Sequence, residues 1–357
     1  MVRRPHTGGR GPLLLGPVTA CSGQRRPAGA RGLHGAAASG CQWRVLRLLP
    51  VSLTRTWAPP GPYDLHGSLR VLRRGPYDPT YRTEGGAGGA VWRGTRTPHG
   101  PAALRLTLRT GGSHGEVHAQ AWGPGAAWLL EGLPALLGAE DDPDAFVPHH
   151  EVTRQAHRRH PGLRLIRTGR VLESLIPSVL EQKITAEEAY RAWRLLVRRF
   201  GERAPGPHPD LWVMPHPRDW LRIPSWEWHR AGVDQKRSSA ILRALQRASR
   251  MEEAAHLGLE EALARLQAIP GIGPWTAAEA LQRSNGEPDA VTVGDLHLPG
   301  QVGYALTGLR GTDDAGMLEL LAPYAGQRHR ATRLILLGGP RMPRRQPRFP
   351  VGNIARW

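Results

Sequence analysis

The chain has 357 residues, 40% of them hydrophobic, and a formal charge of +18. That length allows two domains or one large one with a sizeable core, and no apolar run is long enough for a membrane span. The two cysteines, Cys21 and Cys41, both lie near the N-terminus and exclude a disulfide framework or a zinc-type cluster.

The charge is concentrated at the ends. Residues 1–60 hold nine arginines and no acid, and residues 339–357 hold five arginines and no acid. Between them, 34 basic groups face 30 acidic ones. Basic ends suit nonspecific attraction to phosphate backbones. Lysine occurs only at Lys183 and Lys236, a bias that reflects coding composition rather than a binding need.

In chain order, residues 1–60 read as a disordered Arg-rich tail. An organelle-targeting segment, or translated sequence upstream of the true start, are the other readings. Residues 61–138 read as a small antiparallel β domain with a helix: AVWRGTRT, PAALRLTLRT and GEVHAQAW are β-type runs between Gly-rich turns, and AAWLLEGLPALLG is helical. YDLHGSLRVLRR alternates imperfectly at Leu65, Leu69, Val71 and Leu72 and is placed with the strands. Residues 139–167 read as a connector, in which His149, His150, His157 and His160 lack ordered metal-ligand spacing and belong to a solvated segment. Residues 168–338 read as helical. Thr185 and Glu188 form a capping box, residues 234–249 carry helical apolar spacing, and two last helices fall at 313–322 and 324–338. Residues 339–357 read as a second basic tail.

The organising stretch is LARLQAIPGIGPWTAAEALQRSNGEPDAVTVGD, from Leu263 to Asp295. Helix-forming residues flank the turn Ile269-Pro270-Gly271-Ile272-Gly273. Pro270 stops the first helix, and Gly271 and Gly273 permit φ > 0. The turn and the start of the next helix then present N–H groups together, a site for anions such as phosphate. A binding-inert helical corner is the blander alternative. Asp295 follows Gly273 by 22 residues; the alternative role for this acid is to cap the following segment.

With these motifs the chain resembles the helix-hairpin-helix superfamily of DNA glycosylases, and within it the bacterial inducible 3-methyladenine glycosylases, over roughly Tyr63 to Gly338. The resemblance implies an α+β fold: a small antiparallel sheet domain packed on an all-helical helix-hairpin-helix body, with disordered basic tails. It implies Asp295 as the catalytic carboxylate, with Asp289 and Glu279 as less suited neighbours. It implies phosphate binding by Pro270, Gly271, Ile272, Gly273 and Thr276. Lys236 and Arg237 are candidates to assist, with plain solvated helix charges as their alternative. Relatives that cleave the backbone carry a lysine where Trp275 stands, so base removal without lyase activity is expected, Trp275 stacking on the extruded base; core packing is its alternative. VLEQKIT matches the loop that fills the gap left by the base, with Gln182 at the usual glutamine and Lys183 in place of an apolar wedge. The second pocket tryptophan of relatives is not evident in RLILLGG. Hairpin carbonyls near Gln267, Ile269 and Ile272 match a monovalent-cation site of relatives. The four-cysteine iron–sulfur cluster of some members has no ligands here, and no cofactor or metal is expected. The implied partner is damaged double-stranded DNA, with no protein partner, a monomeric state and a cytoplasmic location.

Overall fold

The computed structural model describes residues 52–86, 88–109, 115–343 and 351–352. The expected tails lie mostly outside the described residues, and so do both cysteines.

The sheet starts earlier than composition suggests. Leu53–Trp57, inside the segment expected to be tail, forms an antiparallel edge strand, β1. It pairs from Leu53 opposite Ala121 to Trp57 opposite Val117. The missed signal is LTRTW, a short run of β-formers hidden by the Arg-rich surroundings. Trp57 meets Tyr63 edge-on at 5.2 Å, and Arg55 Nη1 donates to the Leu130 carbonyl at 2.6 Å. A second correction concerns residues 65–72. These are helical, α1 (Leu65–Leu69) running into a 3-10 turn, with Asp64 capping through the Gly67 N–H. Leu65, Leu69 and Leu72 are spaced by four and three residues, the helical period rather than the strand one.

The remaining strands are β2 (Tyr81–Thr83), β3 (Val91–Thr97), β4 (Gly100–Arg109) and β5 (Glu116–Trp122), giving the antiparallel order β1-β5-β4-β3-β2. Both faces are covered. On one, Val91, Leu104, Leu106, Val117 and Ala119 pack under two short helices, α2 (Ala126–Glu131) and α3 (Leu133–Leu136). On the other, Trp92 stacks on Trp122 at 5.4 Å above Leu211 and Val213.

Within the expected connector, Glu151–Arg159 is a helix, α4, and its Ala156 is buried. The His-rich composition concealed this. His149 and His150 pack on the Tyr324 ring, and His157 packs on Phe146. The body then centres on α5 (Val171–Leu180), buried on all sides except at Glu173, as expected of a helix hydrophobic all round. The chain continues through α6 (Ala186–Phe200), with the Thr185–Glu188 capping box formed. A two-stranded ribbon follows, β6 (Glu202–Arg203) with β7 (Trp212–Val213), and then α7 (Pro217–Trp220) and α8 (Ser225–Arg230). Next come α9 (Gln235–Gln246), α10 (Ala248–Glu253), α11 (Leu259–Gln267) and α12 (Pro274–Ser284). The last are α13 (Leu298–Thr307), α14 (Asp314–Leu321) and α15 (Arg328–Gly338). Helix α13 lacked a sequence signal because LPGQVGYALT carries a proline and two glycines. Among the described residues no helix is long and apolar enough to cross a membrane.

Charged groups join sheet and body. Glu173 of α5 pairs with Arg93 at 3.0 Å and accepts the Arg96 N–H at 2.8 Å; both side chains of the Arg93 pair are about nine-tenths buried. Arg283 of α12 donates to the Val71 carbonyl at 2.9 Å.

On α15, His329 is buried and faces Arg283 of α12 and, on its own helix, Arg330 and Arg333. Burial, then these three cations, hold its pKa well below the usual histidine value. The unfolded chain therefore binds a proton that the folded chain refuses, so this contribution to stability is present above the ordinary pKa and fades as pH falls below it. We expect urea unfolding midpoints to drop between pH 7.5 and pH 5.5, with a smaller drop in His329→Gln. Equal pH dependence in the two proteins excludes this role for His329.

Candidate active site

Helix α11 ends at Gln267, and the chain reverses through 268–273 before Pro274 opens α12 at its first position, where a missing N–H costs nothing. Ile269 and Ile272 anchor the turn in the core. Gly271 has φ +98°, and a Cβ there would stand 2.8 Å from the Cβ of Ala240 on α9. Only glycine satisfies both demands. Gly273 differs from expectation: its backbone is extended, with φ −97°. Nothing lies within 4 Å of a Cβ placed there, so its role is to keep the approach to the turn open. The N–H groups of Gly271, Gly273 and Thr276 have no protein acceptor among the described residues.

The loop after α5 is fastened to this turn. Gln182 Nε2 donates to the Gly271 carbonyl at 3.0 Å and to Thr276 Oγ1 at 2.8 Å. The glutamine of the expected gap-filling loop is therefore turned onto the hairpin. Lys183, exposed beside it, has φ +55° and is the one non-glycine residue with positive φ among the described residues. Such a conformation is costly for any residue with a Cβ and collects at functional loops.

Across from the hairpin, residues 291–297 lead into α13. Asp295 Oδ1 accepts the N–H groups of His297 and Leu298, both at 2.8 Å. Its other oxygen, Oδ2, accepts Nε1–H of Trp275 at 2.9 Å. Asp295 therefore caps the following segment and also faces the indole at the start of α12. Trp275 is half-buried and outside the core clusters. No cation lies within ion-pair distance of Asp295 among the described residues, whereas the competing acids are engaged. Asp289 holds the Arg328 guanidinium and its N–H, and Glu279 pairs with Arg283 at 2.8 Å.

One expectation about cations needs correction. Arg237 is buried, bonded to Asp234 at 2.6 Å and to the Leu180 and Gly232 carbonyls, so it holds α9 in place and cannot turn to a phosphate. Arg243, one residue the sequence reading passed over, reaches the hairpin instead, donating from Nη1 to the Pro270 carbonyl at 3.0 Å. The Ile269 carbonyl accepts the Ile272 N–H at 3.0 Å. RLILLGG, where no second tryptophan was evident, forms the end of α15, and Leu336 there is half-exposed.

A sheet of five antiparallel strands beside a helical body with this hairpin defines the class: the chain has the fold of the helix-hairpin-helix DNA glycosylases. The 3-methyladenine DNA glycosylase of Archaeoglobus fulgidus superposes with a TM-score of 0.66 over 79% of this chain and 97% of that one, at 16% identity. In sequence the chain resembles, within that superfamily, proteins of the bacterial 3-methyladenine branch. It is 28% identical over 167 residues to a probable bifunctional transcriptional activator/DNA repair enzyme AlkA of Mycobacterium tuberculosis, covering 46% of this chain and 34% of that protein. It is 30% identical over 146 residues to a DNA-3-methyladenine glycosylase of Bacillus subtilis, covering 40% and 48%. The chain thus spans between a third and a half of the length of these curated relatives. No protein-family model matches it.

Proposed function

We propose that the chain is a monofunctional DNA glycosylase. It hydrolyses the N-glycosidic bond of alkylated purines such as 3-methyladenine and 7-methylguanine in damaged duplex DNA, the opening step of base excision repair. The observation that carries this reading is Asp295, a half-buried carboxylate without a cationic partner among the described residues, bonded to Trp275 at the mouth of the hairpin.

Chemistry follows from the parts. The target base is unreachable inside the stack and must be turned out of it. The free N–H groups of Gly271, Gly273 and Thr276 receive a backbone phosphate, while Lys183 extends from its strained loop toward the gap. The indole face of Trp275 takes the extruded base, and a ring face attracts the positive charge of an alkylated purine. As the base departs, the sugar gains oxocarbenium character, which the Asp295 carboxylate stabilises. Water then adds to the anomeric carbon and leaves an abasic site. With Trp275 in place of a lysine, no Schiff base forms there and the strand stays intact.

One observation favours a second reading. Trp275, Glu279 and Arg283 recur every four residues and share one face of α12, so an ion pair offering both donors and acceptors begins one turn along from the ring. A deaminated or oxidised base, rich in carbonyls, has use for such groups. The test is base release from duplexes carrying 3-methyladenine, 7-methylguanine, hypoxanthine or 8-oxoguanine, followed by strand analysis with and without alkali. Free methylated purine, with nicks only after alkali, is expected. Faster release of hypoxanthine or 8-oxoguanine establishes the second reading. Nicking without alkali overturns the monofunctional assignment. No release from any duplex, with abasic DNA still bound, makes the chain a binding module.

A further inference from the structure

An open groove of about 510 Å³ runs beside the hairpin, lined by Arg247, Arg250, Met251, Arg265, Ala268 and Pro270 among others. Its floor is apolar and its rim is cationic. Arg250 and Arg265 share the Glu253 carboxylate at 2.9 and 2.8 Å, and Arg265 also lies 3.6 Å from Glu261. Arg247, at the C-terminal end of α9, is exposed and has no carboxylate within ion-pair distance among the described residues. The same is true of Arg243, one helical turn earlier. Arg243 bridges groove and hairpin: its Nη1 bonds the Pro270 carbonyl and lies 4.0 Å from where a Cβ of Gly271 would be.

An open, shallow cleft with an excess of guanidinium suits an extended polyanion better than an enclosed small molecule. Residues four apart on a helix have Cβ atoms about 6 Å apart, a scale that suits successive phosphates on one strand. We propose that the DNA backbone continues from the hairpin into this groove, and that Arg243 and Arg247 each take a phosphate flanking the one held by the hairpin N–H groups. The proposal rests on the glycosylase reading only in treating the hairpin as a phosphate site. A plainer role exists for Arg247 at the C-terminus of α9, whose dipole a cation complements, although the same residue caps the N-terminus of α10, where a cation does not; either effect concerns stability and not DNA.

The discriminating measurement is the salt dependence of binding, by anisotropy, of the full chain to a duplex carrying a tetrahydrofuran abasic analogue, which has no base to release. Each phosphate neutralised contributes about 0.9 to the slope of log K against log salt. We expect Arg243→Ala and Arg247→Ala each to lower the slope by about 0.9 and the double variant by about 1.8. Lysine at either position should keep the slope. Arg218→Ala, which removes an exposed arginine of α7 whose neighbouring acid is Asp219, should leave it unchanged. The proposal is overturned by an unchanged slope in the double variant, by an equal fall in Arg218→Ala, or by a lowered unfolding midpoint with no change in slope. A wild type that binds this duplex with the expected slopes but releases no base from damaged DNA defeats the glycosylase reading and leaves this one standing.

Discussion

Asp295→Asn should release alkylated purines about 10²–10³ times more slowly than the wild type, the usual cost of removing one preorganised group aimed at developing charge. Binding to abasic-analogue duplex should persist. The substitution isolates the charge. Asparagine is as good an N-terminal capping residue as aspartate, so its oxygen can keep the His297 and Leu298 N–H groups and unfolding should move by no more than about 1 kcal/mol. What asparagine cannot keep is the second acceptor. Its amide NH₂ would face the Trp275 Nε1–H that now donates to Oδ2, donor against donor. Trp275→Phe controls for this, because it deletes that hydrogen bond and retains a ring. If Trp275→Phe loses little and Asp295→Asn loses hundredfold, the carboxylate charge is the catalytic quantity. If Asp295→Asn keeps most of the wild-type rate, Asp295 is a capping residue and nothing more.

How far this site is legible in the sequence depends on whether a feature is local. The turn Ile269–Gly273 and its flanking helices are local: proline, glycine and periodicity determine them, and the structure has a helix, a turn and a helix there. The capping box at Thr185 is local in the same way. Long-range choices are not legible. Nothing in VLEQKIT says that Gln182 folds back onto the Gly271 carbonyl, because that contact joins residues 89 apart. Nothing in QKRSSAILR says that Arg237 is buried on Asp234 while Arg243 extends to the hairpin; both are arginines on a helix, and only packing separates them. Strand β1 failed for another reason. Its signal is five residues long and sits at the end of a segment whose composition argues against any order. Helix α13 opposes its own propensities and is held by Asp295 and by packing of Val302 against α14 and α15, an override by tertiary context.

The largest effect on stability should come from Asp141→Ala, far from the reacting atoms. Asp141 lies in the segment read as a connector, yet its carboxylate accepts the Leu165 N–H at 2.9 Å and pairs with the Arg330 guanidinium of α15, with side chains 5% and 2% exposed. Gln327 completes the shell, accepting Arg330 Nε–H at 2.9 Å. Removing one member of a buried pair strands the other, at about 3–5 kcal/mol. The upper part of that range is expected here because the surroundings are cationic. Arg333 lies on the same helix, and burial with Arg283 and Arg330 nearby pushes its pKa down to about 10. Asp141 is the acid that opposes this trend. Denaturant unfolding of Asp141→Ala should show the loss, while base release measured well below the unfolding transition should stay near wild type, since neither residue touches Asp295 or Trp275. Asp141→Asn should fall between, keeping an acceptor for Leu165 and losing the charge. Asp141→Leu combined with Arg330→Met removes both charges and should recover much of the lost stability, as apolar replacement of buried pairs often does. If the double replacement is no better than Asp141→Ala, the penalty lies in the lost Leu165 hydrogen bond and not in the stranded arginine.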